Sequence, residues 1–408
     1  MRRVARGPLG RISPTAKSYL LGSAGMGAAH AVPWTLLALY LDQRGFSKTD
    51  IGFVQSAESW GKVLVAIPAA FFLARRSSRP IFVGAALMAG ACYFVLPMLE
   101  SRAAVAACNL LAGLAWSLHY VAVAPFLYRH TETGTRAMVF GLSEAIRTLA
   151  AVAGAFLAGR VVQWAAPYFG SETEAMAQAI RWGGAGFTLL AALAYSRIKD
   201  TEPSIERGQP MLPVVRKHRG LILRFALPQF AIACGAGLCI PFLPLYFQDR
   251  FGFGPGAWGN LFACGQLLTT TGFLLTPLIL RHMGFVRSMV MIEMASIPFF
   301  VILAFTGNAP LAIAAFLMRG ALMNSTHPIL KNFMMQATPP GVREVQTGLN
   351  ATLWGIGWVV GPLIAGRVLT ETNDDYSVLM LTTVGFYLLA AVLSVMLLMP
   401  LERDMKER

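Results

Sequence analysis

The chain has 408 residues, 56% hydrophobic and 13% charged, and its mean hydropathy of +0.57 excludes an ordinary soluble globular protein. The formal net charge of +14 is spread over short polar segments between apolar runs. This excludes nucleic acid as a partner and matches the anionic headgroups of a lipid bilayer. The five cysteines, Cys92, Cys108, Cys234, Cys239 and Cys264, fall in apolar stretches without a CxxC pair, so neither a disulfide framework nor a metal site is expected, and no cofactor.

Apolar runs long enough to cross a bilayer are read at twelve places. In chain order the first six cover 18–41, 51–73, 81–99, 104–128, 137–161 and 178–196. Arg2, Arg3 and Arg6 precede the first run, yet that run is too long for a secretory signal and lacks a small-residue cleavage site, so it reads as a retained helix. The sixth run is the weakest, because Arg181 intrudes on it. A stretch rich in proline, glycine and mixed charge, KDTEPSIERGQP followed by VVRKHRG, then reads as a linker. Six further runs cover 221–247, 256–280, 288–306, 309–330, 345–368 and 377–400. The expected division is a six-helix half over 1–200, a linker over 201–220 and a second six-helix half over 221–408. No GxxxxGK[ST] phosphate loop occurs, which excludes this chain as an ATP hydrolase.

The halves are copies. At an offset of 207 residues Arg136 meets Arg343, Gly141-Leu142 meets Gly348-Leu349, and Gly154 meets Gly361. Gly159-Arg160-Val161 meets Gly366-Arg367-Val368, Gly113 meets Gly320, Gly45-Phe46 meets Gly252-Phe253, and Gly52 meets Gly259. One membrane-spanning module written twice implies two halves related by a pseudo-twofold axis along the membrane normal, with a shared central site. With the N-terminus inside, 24 basic residues fall in inner segments and seven in outer loops. The positive-inside rule therefore places both termini in the cytoplasm.

Twelve spans in two six-helix copies with a basic central loop resemble the major facilitator superfamily over essentially the whole chain. At motif level the likeness is partial. The family's loop after span 2 usually reads G-x-L-A-D-R-x-G-R-R; here Phe71-Phe72-Leu73-Ala74-Arg75-Arg76-Ser77-Ser78-Arg79-Pro80 keeps a leucine, an alanine and arginines but puts Arg75 at the aspartate position. The second copy has Arg281 there, and Asn109 stands near the place of the family's span-4 arginine. The glycine-proline motif is intact in span 11, with Gly357, Gly361, Pro362, Ala365 and Gly366, and eroded in span 5, which tilts the expectation toward uptake. The resemblance implies an all-α transporter working by alternating access, with spans 1, 4, 7 and 10 around the cavity and the gate drawn from Arg76, Arg79, Gly361 and Pro362.

Within that frame the few polar residues inside the spans are the candidate site, because an ionisable group in lipid needs a partner or a task. Glu58 and Lys62 stand four residues apart, and Glu144 and Arg147 three apart, spacings that allow pairing within one helix. Arg319 has no acid in its own helical neighbourhood and is the expected anchor for a substrate anion, whereas Glu293 on span 9 reads as structural. Candidate substrate contacts are Arg319, Lys62, Trp34, Trp116, Tyr120, Gln266, Asn324 and Trp354. Candidate proton-exchanging groups are Glu144, His119, Glu58, His30 and His327, with Glu144 and His119 at matching depth. Met26 with His30 and Met323 with His327 also have a spacing suited to Cu(I). These residues lead to a monomeric, proton-coupled symporter of a small organic solute, an amphipathic anion, in the bacterial inner membrane. The alternatives are a drug/proton antiporter and, below it, a copper or metal-siderophore importer.

Overall fold

The computed structural model describes residues 13–73, 77–131, 136–199, 211–339 and 342–407. Among these, every regular element is helical. The first half runs α1 (Pro14–Gln43), α2 (Lys48–Leu73), α3 (Ser78–Val95), α4 (Arg102–His130) and α5 (Arg136–Phe169). It closes with α6 (Glu172–Gln178), a π-helical turn (Ala179–Gly184) and α7 (Ala185–Ser196), which together form the sixth span. The second half runs α8 (Met211–Cys239) and α9 (Leu243–Phe251), which make one span across a short 3₁₀ turn. Then come α10 (Pro255–Met283), α11 (Phe285–Phe305), α12 (Ala309–Ala337), α13 (Arg343–Glu371) and α14 (Tyr376–Lys406).

The helix ends follow local chemistry. Ser13, Ser101, Ser171 and Asn308 each accept a hydrogen bond from the backbone N–H three residues on, capping α1, α4, α6 and α12. Gly45 and Gly252, one repeat apart, both take left-handed backbone (φ 81° and 68°) just past a helix. In each case the next residue's N–H reaches back to a carbonyl of the last turn, Phe46 to Leu41 and Phe253 to Phe247, so a left-handed glycine ends the helix at both places, with the returning bond one residue longer in the second. The weak sixth span is a broken one: its π turn carries Arg181, whose guanidinium lies 5.0 Å from the Phe94 ring centroid and donates to the Phe94 carbonyl. Within the expected linker, α8 starts at Met211 and bends at His218.

Eight of these helical segments are apolar and long enough to cross a membrane by length and composition alone. Outward-facing Leu189, Leu190, Leu193, Val392, Val395 and Met396 are exposed, as lipid-facing side chains are. Within the first half α1 packs on α5 and α7, and α4 on α2 and α3; within the second α8 packs on α13 and α14, and α12 on α10 and α11. Between the halves α2 meets α13 and α5 meets α10. Both seams are glycine contacts between backbones. A Cβ on Gly52 would strike the Pro362 carbonyl, and one on Gly366 the Lys48 carbonyl. A Cβ on Gly259 would lie 2.8 Å from the Ala155 carbonyl, and one on Gly159 would strike the Pro255 carbonyl. Gly52 and Gly259 are repeat partners, as are Gly159 and Gly366. The 207-residue register therefore preserves a pair of symmetry-related seams.

Candidate functional site

Between the halves lies a cavity of about 310 Å³, bordered by α1, α2 and α5 on one side and by the 3₁₀ turn that follows α8 and by α9, α10, α12 and α13 on the other. Aromatic surface from Trp34, Trp258, Phe262, Phe316 and Trp358 makes much of the wall. The polar groups are His30, Gln55, Arg147, Gln266, Thr269, Arg319 and Asn324. Two arginines border this space and no carboxylate does, among the described residues. An apolar chamber with a few convergent polar groups is the form small-molecule sites take.

The two arginines differ. Arg147 on α5 donates to Glu144 from Nε at 3.2 Å and from Nη2 at 2.6 Å, so its charge is met within one helical turn. Its guanidinium carbon also sits 5.7 Å from the Tyr120 ring centroid. Arg319 on α12 is 5% exposed and its Nε has no hydrogen-bond partner. Its guanidinium carbon stands 5.1 Å from the Phe300 ring centroid and 5.9 Å from that of Phe316, a cation–π setting that stabilises the charge without neutralising it.

On the opposite wall the Glu58 carboxylate is shared. Lys62 Nζ lies 2.6 Å from its Oε1 and His30 Nε2 lies 3.2 Å from the same atom. Trp116 supports this cluster: its ring meets the His30 imidazole edge-on at 4.5 Å, and its indole N–H donates to the Tyr93 hydroxyl. Trp34 stacks on His30 and reaches across the halves to Trp358, 5.8 Å between ring centroids. Asn324 donates to the Gly320 carbonyl at 2.8 Å, which fixes its amide against the cavity.

Of the residues singled out from sequence, His30, Trp34, Gln266, Arg319 and Asn324 border the cavity, whereas Lys62, Glu58, Trp116, Tyr120 and Glu144 do not line it. His119 and Glu144 are not brought together: His119 is buried and its Nε2 lies 2.7 Å from the Tyr195 hydroxyl. His327 meets the Trp354 ring edge-on at 5.2 Å, away from the cavity wall. Met26 is buried in the core of its own half beside Tyr19 and Trp116. Among the described residues no cluster of three or more His, Cys, Asp or Glu could hold a metal ion. Gln55, Thr269 and Trp358 border the cavity without having been singled out. Gln55 lies three residues before Glu58, and Trp358 one helical turn after Trp354, so helical periodicity was the available signal.

The end of the cavity opposite the start of α1 and the end of α14 is shut. Lys48 Nζ bridges Asp42 (2.8 Å) and, across the halves, Asp249 (3.0 Å). Gln248 donates to Asp42, and the Thr49 hydroxyl reaches the Gly366 carbonyl and the Thr370 hydroxyl. Tyr376 donates to Asp249. Burial raises the Asp374 carboxyl in the adjoining loop, opposed by Lys48 and reinforced by Asp249 and Asp42. Of the expected gating residues, the Pro362 carbonyl lies on the seam facing Gly52, whereas Gly361 packs on Gly237 inside its own half. Arg79 is exposed and Arg76 lies outside the described residues.

The sequence model of the Major Facilitator Superfamily matches residues 19–362. A curated relative, the "Multidrug efflux protein YfmO" of Bacillus subtilis (strain 168), is 25% identical over 241 residues. That stretch is 58% of this chain and 57% of the relative, so the match spans little more than half of either protein. The nucleoside transporter NupG superposes with a TM-score of 0.78 at 14% identity, covering 94% of this chain and 99% of that one. A bacterial homologue of the human lysosomal transporter Spinster, inward-facing and unoccupied, gives 0.78 at 12% identity, covering 96% and 97%. The human organic anion transporter MFSD10 gives 0.62 at 17% identity, covering 93% and 99%. At these identities the solved structures share the fold.

Proposed function

The chain belongs to the major facilitator superfamily, and on that premise we propose that it is a proton-coupled secondary transporter of an amphipathic organic anion, working by alternating access across the cytoplasmic membrane. The observation that carries the reading is Arg319, a cation at the cavity wall that no carboxylate of the chain neutralises among the described residues. A carboxylate on the solute, gripped by the planar guanidinium, would offset the cost of that charge and fix the solute's orientation. Trp34, Trp258, Phe262 and Phe316 offer flat apolar surface to the rest of the solute. His30 exchanges the proton: it borders the cavity and shares Glu58 with Lys62, so protonating the imidazole changes how that carboxylate is divided. With both termini in the cytoplasm, the shut end is the outer one and the described state faces inward.

A second reading, drug/proton antiport, is favoured by one observation, the partial similarity to the Bacillus efflux protein. Lipophilic cations are the cargo expected of it, and a chamber bordered by arginines and, among the described residues, by no acid opposes them. Reconstitution into proteoliposomes separates the two. An inside-alkaline pH gradient should drive accumulation of aromatic carboxylates, and Arg319→Ala should abolish it. Accumulation of lipophilic cations under the opposite, inside-acidic gradient, indifferent to Arg319→Ala, would establish the antiporter.

A further inference from the structure

Glu293 on α11 is 0% exposed, and neither of its carboxyl oxygens has a hydrogen-bond partner among the described residues. Buried polar atoms are so consistently paired that such an orphan calls for a reason. Its surroundings follow from the register of α11 against α14. Glu402 on α14 accepts hydrogen bonds from the backbone N–H groups of Phe285 and Val286, which pins one end of the antiparallel pair. Two turns beyond Glu293, the Phe300 and Tyr387 rings meet edge-to-face at 5.4 Å and pin the other. The register that pairs 285 with 402 and 300 with 387 also pairs 293 with 394. Ser394 is fully buried and its hydroxyl is likewise unpartnered. Glu293 and Ser394 therefore share a depth of about 12 Å from the start of α11, at 1.5 Å per residue.

The same contact leads to the cavity. The Arg319 guanidinium lies over Phe300, the Tyr387 hydroxyl interacts with that guanidinium, and the hydroxyl is also within electrostatic range of Glu293. Among the described residues, the other titratable group near Tyr387 is Cys239 on α8.

We propose that the Glu293 carboxyl is a proton-binding site of the C-terminal half, read at the cavity wall by Arg319 through Tyr387. An unpartnered carboxylate in this interior costs far more than the neutral acid, so the proton resides on Glu293 in the packing described. With the proton in place Arg319 is available to a solute carboxylate. When the O–H proton leaves to water, the new carboxylate attracts Arg319 along the Phe300–Tyr387 contact and competes with the solute. Proton and anion then bind together, which makes the exchange symport. The proposal deepens the transporter reading, on which it rests for the meaning of Arg319.

The test needs neither solute nor gradient. Infrared difference spectra of the detergent-purified full chain, recorded over a pH titration, should contain the carbonyl stretch of a protonated carboxyl at neutral pH that bleaches toward alkaline pH. The band should vanish in Glu293→Gln and persist in Glu58→Gln. Glu293→Asp, tested alongside in case the amide variant fails to fold, should keep a titrating band at a shifted frequency. In Tyr387→Phe the titration midpoint should move by about one pH unit. A band unchanged in Glu293→Gln or unshifted in Glu293→Asp would overturn the proton site, and an unmoved midpoint in Tyr387→Phe would overturn the link to Arg319. Should the solute prove to be a cation, the spectra would still stand, so the two readings fail separately.

Discussion

The two halves are copies in backbone and opposites in how they hold charge. In the N-terminal half Glu58 is shared by Lys62 and His30, and Glu144 holds Arg147. At the repeat-equivalent positions the C-terminal half has Gly265, Thr269 and Gly237 in place of Glu58, Lys62 and His30. Two of its own ionisable groups, Glu293 and Arg319, fall where the N-terminal half has Ala86 and Ala112. Space differs in the same sense. Gly113 is pressed against the Glu58 carbonyl, while its partner Gly320 borders the cavity with nothing within 4 Å of a Cβ placed there. One half balances its membrane charges internally, and the other leaves a cation facing open space. Gene-duplicated halves can thus share the work of gating while dividing that of binding.

The seams, which the halves hold in common, should give the largest effect. Gly52→Leu and its repeat partner Gly259→Leu place side chains against backbone carbonyls that cannot retreat, so the outer end should fail to shut and transport should fall at least roughly tenfold for a cost of more than about 1.4 kcal/mol. Gly84→Leu, with open space around its Cβ, should transport as the parent does. Normal flux through Gly52→Leu would show that the seam does not gate.

Next in size is a contrast in stability. Lys62→Met leaves Glu58 with His30 alone and, since Lys62 is itself half-exposed and screened, should cost about 2 kcal/mol in unfolding of the purified protein, most of it recovered in the double variant Glu58→Gln/Lys62→Met. Arg319→Met removes an uncompensated charge and should be neutral or stabilising. Equal destabilisation by the two would erase the distinction between the halves.

A smaller change is expected from Arg319→Lys. Lysine keeps the charge but lacks the fork, so affinity for a carboxylate solute should drop about tenfold while stability holds, as isothermal titration can measure. The smallest is Lys48→Ala. Removing a bridge at the rim should weaken outer closure by about 1 kcal/mol, seen as several-fold faster labelling of a cysteine placed at Gly320 by an impermeant thiol reagent from outside.

Much of this was legible before any coordinates. The spans follow from hydropathy, and the repeat register picked out Gly52, Gly159, Gly259 and Gly366, which form the seams, because backbone contact tolerates no side chain. Pairing within a helix was equally readable: Glu58 with Lys62 and Glu144 with Arg147 need only the helical period. Contacts between helices were not, because they depend on rotation and register that one sequence does not specify. His119 and Glu144 share a depth but not a face, and His119 meets Tyr195 on α7 instead. His30 joining Glu58, and Glu293 falling level with Ser394, are visible only once the helices are packed. Trp354 and Trp358 are one helical turn apart, and the sequence alone does not say that Trp358 is the one that borders the cavity.

The central claim is that Arg319 receives the anionic end of the solute. Its most direct test is a thermal-shift screen of the purified protein and of Arg319→Ala against matched panels of aromatic carboxylates and lipophilic cations. The account predicts that members of the carboxylate panel raise the melting temperature of the parent protein, that the shift disappears in Arg319→Ala, and that the cations do nothing to either. Stabilisation by the cations, or carboxylate shifts that survive in Arg319→Ala, would contradict it.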